Sequence, residues 1–208
     1  MRAAQPERAT AYGQTRTPSP VDRFGVWLSA SAVRRHVPSF AGKRLGDFGC
    51  GYHAHFARSV LPEVRSAVLV DVALADDLKA DRRVTAIEGR LPEAIGGVAD
   101  GSLDVVLCVS VLEHLWAPLD TLRELRRVVA PAGICLLNVP SWRGKRALEL
   151  SAFRLGLSPA EEMDDHKAYY DPRDLWPLLV RAGFVPHGIS CSRHKLGLNT
   201  FAACKVDA

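Results

Sequence analysis

Short, continuous apolar runs alternate along this chain with segments whose apolar residues recur at helical spacing. The runs lie at 43–48, 67–71 ("AVLVD"), 84–88 ("VTAIE"), 103–109 ("LDVVLCV") and 133–139 ("GICLLNV"). Runs without polar interruption predict strands covered on both faces. Helices are expected between them, at 53–61, 74–80 and 117–130. This alternation predicts an α/β fold built from βαβ units, a Rossmann-like three-layer sandwich with helices on both faces of a parallel sheet. Ahead of it, "VDRFGVWLSASAVRRHVP" spaces Phe24, Trp27, Leu28 and Val33 as one helical face and stops before Pro38. Past Pro140 the regularity dissolves into a mixed segment over 141–170, followed by a helix at about 171–183. Two strand-like pieces near 184–191 and 198–204 stand too close for a helical crossover. They predict an antiparallel hairpin at the end of the sheet.

The chemistry starts where the first run breaks, in "RLGDFGCGYHAHF" (44–56). Gly49-x-Gly51-x-x-Ala54 has the spacing of a nucleotide loop, in which bare backbone N–H groups at a helix start let a ligand approach closely. Asp71 follows twenty positions after Gly51, at the end of the next run, where a carboxylate accepts hydrogen bonds from ribose hydroxyls. Asp47 narrows the choice of ligand. A carboxylate two residues before the first glycine repels a pyrophosphate and attracts the ammonium and sulfonium of S-adenosylmethionine.

Bulk properties change this picture little. With 208 residues, 48% hydrophobic and 24% charged, the chain suits a single soluble domain over 21–208, preceded by a flexible leader over 1–20. No apolar run is long enough to span a bilayer and the leader lacks a secretory core, so a cytoplasmic protein is expected. The five cysteines are scattered and never form a CxxC pair, which predicts reduced thiols rather than disulfides or zinc ribbons. A net charge of +4 without a long basic block argues against nucleic acid as the partner.

Four stretches in order, "LGDFGCG", "VDVAL", "DGSLDVVLCVSVLEHL" and "LRELRRVVAPAGICLLNVPS", resemble the class I S-adenosylmethionine-dependent methyltransferases, in particular the type 11 and ubiquinone-methyltransferase-like branch. The resemblance covers roughly 40–140 and runs more loosely to the last hairpin. It implies a seven-stranded sheet and S-adenosylmethionine as cofactor. Asp47, Gly49, Cys50 and Gly51 match the motif that holds the methionine part. Asp71 matches the ribose acid, Val72 the apolar residue against adenine, and Ser110 the strand end beneath the sulfonium. Two positions depart from the family pattern: His53 stands where a further glycine is usual, and Gly89-Arg90 replaces Gly-Asp. A guanidinium only donates, so adenine contacts are expected from Arg90 stacking or from the backbone of Leu91.

Methyl transfer requires alignment of nucleophile, methyl and sulfur, with removal of a proton where the nucleophile carries one. The substrate-side insertion at about 141–170 supplies the candidates. His166 is the first choice for a general base and His114, in "VLEHL", the second. Trp142, Tyr169 and Tyr170 are candidate walls of a small-molecule acceptor pocket. Asp164, Asp165 and His166 also suggest a cation site, but adjacent residues rarely all face one ion, so no metal is expected. The expected function is transfer of a methyl group to a small molecule, most simply to oxygen. The competing readings are an inactive methyltransferase-fold partner subunit and a nicotinamide-dependent oxidoreductase.

Overall fold

A seven-stranded sheet in the order β3-β2-β1-β4-β5-β7-β6 forms the centre of the computed structural model, which describes residues 10–15, 20–146 and 166–208. Strands β1 (Arg44–Phe48), β2 (Ser66–Asp71), β3 (Val84–Glu88), β4 (Leu103–Val109) and β5 (Val129–Pro140) run parallel. Strands β6 (Ile189–His194) and β7 (Asn199–Lys205) form the antiparallel hairpin, and β7 pairs antiparallel with β5.

Successive side chains point to opposite faces of a strand, and both faces here are apolar. Leu45, Val105, Leu107 and Leu136 face a core shared with helices α1 (Pro20–His36), α2 (His55–Val60) and α3 (Asp76–Ala80). Phe48, Val106, Cys108 and Leu137 face the other core, against α4 (Pro118–Val128) and α5 (Pro172–Arg181). This two-sided burial explains the continuous apolar runs. All five cysteines are free; Cys108, Cys135 and Cys204 are buried and Cys50 and Cys191 half-buried. No helix among the described residues is long and apolar enough to cross a membrane.

Two boundaries differ most from the pattern. The strand expected near 184–191 begins only at Ile189, because a 3-10 turn at Pro186–Gly188 precedes it. The other lies before β5. The helix expected to 130 ends at Val128, and β5 begins at once with Val129, four residues before the expected strand. Pro131 is the cause: it disfavours helical backbone at the residue before it, so Ala130 continues as strand. Val129 pairs with Leu103, and the register slips before Val105 pairs with Ile134.

The chain runs β1-β2-β3 outward and then returns to place β4 on the other side of β1. Ligands of open α/β sheets bind beyond the carboxyl ends of the strands at such a reversal. The ends of β1, β2 and β4 therefore define the place to look.

Candidate active site

The loop after β1 is built on its glycines. Gly49 and Gly51 have φ of 77° and 75°, a region that L side chains rarely adopt. A Cβ on Gly49 would also collide with Cγ2 of Val111. His53 keeps a negative φ, and the third left-handed position falls on Ala54, at φ 42° before α2. The loop thus tolerates His53 because the conformation that asks for glycine lies elsewhere. Gly49 and Cys50 donate their N–H groups to Val70 O at 2.7 and 3.2 Å, which fastens the loop to β2.

Two carboxylates converge there. Asp71 accepts from the N–H of Gly51 through Oδ2 and from Val72 through Oδ1, both at 2.8 Å, so it braces the loop it faces. Asp47, 4% exposed at the end of β1, is pushed up to about 7 by burial and by the charge of Asp71. The Cys50 thiol is raised by burial and then by the same two carboxylates. This corner of the molecule calls for positive charge.

A second group assembles beyond β4. Ser110 ends the strand at φ 58°, a strained backbone for serine, with its N–H donated to Asn138 O at 2.7 Å. The 3-10 turn Leu112–His114 then carries Glu113, 2% exposed, and His114. His166 returns to this turn: its ring centroid is 4.9 Å from that of His114, and its Nδ1 lies 3.2 Å from the Tyr169 hydroxyl. The rings of Trp142 and Tyr169 lie 5.7 Å apart, and Lys145 Nζ lies 5.9 Å from the Tyr169 ring centroid. His114, His166, Trp142 and Tyr169 are therefore brought into one cluster. Tyr170 is not; it is packed in the core with Leu175, with burial and the charge of Glu113 raising its hydroxyl to about 12. Asp164 and Asp165 lie outside the described residues.

Three participants carry little signal of their own in the sequence. Glu113 belongs to an ordinary-looking "VLEHL", yet it is the buried acid between His114 and the segment 166–168. Lys195, in the turn between β6 and β7, is lowered to about 8 by burial, with Glu113 opposing. Tyr12 lies over the loop, where Tyr52 N–H donates to its carbonyl at 2.9 Å. Two surface grooves stand apart from this region, one beside Trp176 and Cys191 and one beside Pro92 and Arg123.

The family model described as Methyltransferase domain matches residues 24–187, from α1 through α5. The chain belongs to this family. The methyltransferase domain is 27% identical over 189 residues to a probable S-adenosylmethionine-dependent methyltransferase of Mycobacterium tuberculosis, covering 88% of this chain and 64% of that protein. The chain thus spans less than two thirds of that relative's length. Similarity to the ubiquinone biosynthesis O-methyltransferase of Vibrio campbellii is 26%, over 78% of this chain and 72% of that protein. Among solved structures, a SAM dependent methyltransferase from Archaeoglobus fulgidus shares the fold with a TM-score of 0.62 at 16% identity, covering 86% of this chain and 93% of that one.

The residues of this methyltransferase domain fit S-adenosylmethionine, the cofactor of such enzymes. The cofactor has cationic groups and no phosphate, which matches the Asp47–Asp71 corner. The left-handed backbone at Gly49 and Gly51 brings the loop against Asp71, the acid expected to meet the ribose. Of the residues expected near adenine, Val72 and Leu91 are half-buried, whereas Arg90 is exposed.

Proposed function

We propose that this chain is an S-adenosylmethionine-dependent methyltransferase that methylates a hydroxyl oxygen of a small molecule. The convergence of Asp47 and Asp71 on a left-handed glycine loop is the observation that carries the reading. That pair weighs against a pyrophosphate ligand, and hence against a nicotinamide cofactor. When bound, S-adenosylmethionine supplies an electrophilic methyl on a sulfonium that leaves as a neutral thioether.

The chain's own residues would do the rest. Asp47 holds the cationic methionine end by charge, and Asp71 holds the ribose. A hydroxyl must lose its proton to attack, and the group beyond β4 offers an acceptor for it, His166 before His114. Trp142 and Tyr169 would wall the acceptor, with Lys145 nearby to favour an aromatic or anionic one. Oxygen as acceptor atom draws support from the name of the Vibrio campbellii relative. Nitrogen and carbon acceptors are the alternative outcomes of a screen.

Calorimetry with S-adenosylmethionine and S-adenosylhomocysteine, with NAD as control, tests the cofactor. Micromolar binding of both adenosyl ligands is expected, lost in Asp71→Ala. NAD binding, or equal affinity in the variant, would remove the reading. Transfer of labelled methyl in an acceptor screen, reduced in His166→Ala at unchanged cofactor affinity, tests the acceptor side.

A further inference from the structure

Glu113, His114 and His166 each present one ligand atom, and these atoms all lie within 4.8 Å of one another. From this geometry we infer that the three side chains form a binding site for a divalent transition ion of the zinc, manganese or iron(II) class. The inference rests on the proposed function only for what the ion does, not for its binding.

The donor set decides the class. Two imidazole nitrogens and one carboxylate oxygen suit zinc and its neighbours in the first transition row, whereas magnesium and calcium take oxygen-only sets. Three protein ligands also leave positions open, as in catalytic rather than structural sites. Ligand atoms around a zinc at ordinary bond lengths stand about 3.4 Å apart, so the group needs only a modest contraction.

The site is built rather than accidental. Glu113 is buried, and its carbonyl accepts from the N–H groups of Lys167 and Ala168 at 2.5 and 3.3 Å. Those bonds clamp the segment bearing His166 onto the turn bearing the other two ligands. The Tyr169 hydroxyl on Nδ1 of His166 is the kind of outer contact that orients a metal-binding ring. Lys195, whose charged form Glu113 favours, would oppose the ion as a like charge. His166 thus finds its co-ligands across the fold in Glu113 and His114, rather than in its sequence neighbours. An ion here would bind the acceptor's oxygen and lower its pKa, so that the proton passes to solvent; the base role proposed for His166 would then belong to the metal-free protein alone.

The test uses the whole chain, stripped with chelator and titrated with zinc alone by calorimetry, then with cobalt(II) followed by visible absorption. One ion per chain at micromolar affinity or better is expected, with visible cobalt absorption bands that grow to one equivalent. His166→Ala and His114→Ala should each weaken binding at least tenfold, while His53→Ala should not. His166 is half-buried, so thermal melting of His166→Ala will confirm a folded variant even where Glu113→Gln fails to fold. Absence of stoichiometric binding, or binding insensitive to His166→Ala, would overturn the inference. Asp71→Ala separates the two readings: it should lose the adenosyl ligands and keep the metal. Adenosyl binding by the chelated wild type, with no metal uptake, would sink this site and leave the proposed function standing.

Discussion

Asp47 is a buried carboxyl beside a second carboxyl. Burial and the neighbouring Asp71 push its carboxyl up to about 7, from an ordinary value of 3.8. Between those values the native state holds a proton that the unfolded chain releases, so stability is greatest below the ordinary value and is lost as pH rises to 7. Asp47→Asn removes this penalty. The variant should be more stable than wild type at pH 8, by roughly 1–3 kcal/mol, and equal to it near pH 4. A cationic ligand acts in the opposite direction, because it favours the ionised carboxyl. Cofactor affinity in the wild type should therefore be flat above pH 7 and fall by up to about tenfold per pH unit below it, with uptake releasing a proton. Calorimetry at pH 6, 7 and 8 in buffers of different ionisation enthalpy checks this. A flat profile, or an Asn variant that binds as well as wild type, would place the cation elsewhere.

The elements that the sequence makes legible are those with one dominant cause. The strands are read from their apolar runs, and the glycine loop from residues whose backbone demands show in their identity. Helix α5 is equally plain: Asp171 and Asp174 form a reciprocal capping box on either side of Pro172. Asp171→Ala should lower stability by about 1 kcal/mol, a melting shift of about 2–4 °C, without changing cofactor affinity. A shift in affinity would instead tie α5 to the site. What the sequence hides depends on contacts between distant parts. Glu113 and His166 are separated by fifty-three positions, and the contact appears only where Lys167 and Ala168 donate to Glu113 O. Tyr169 and Tyr170 look alike in sequence, yet one meets Trp142 and the other enters the core. No local pattern distinguishes them, because adjacent residues of an extended segment point opposite ways. The start of β5 was written in Pro131, but a helical run of apolar residues masks it.

At the scale of the whole molecule, the site is closed by a piece of chain that owes little to the sheet. Residues 10–15 lie on the glycine loop: Ala11 is 4% exposed, and a Cβ on Gly51 would stand 3.2 Å from Tyr12 O. The contact passes onward, since Tyr52 donates to Tyr12 O at 2.9 Å and accepts from the Ala75 N–H at 3.0 Å. One short segment thus ties the loop that faces the cofactor to the start of α3. Covering the loop keeps water from Asp47 and strengthens its attraction for a cation. Deleting residues 2–15 should therefore weaken S-adenosylhomocysteine binding by about tenfold, or about 1.4 kcal/mol. Hydrogen exchange gives the sharper test, because it reports each amide separately. Tyr52 and its loop neighbours should exchange faster in the truncated chain, while the amides of β4 and β5 keep their protection. Acceleration throughout the sheet would mean that the segment holds the core together rather than covering the loop. Unchanged exchange at Tyr52 would mean that it does neither.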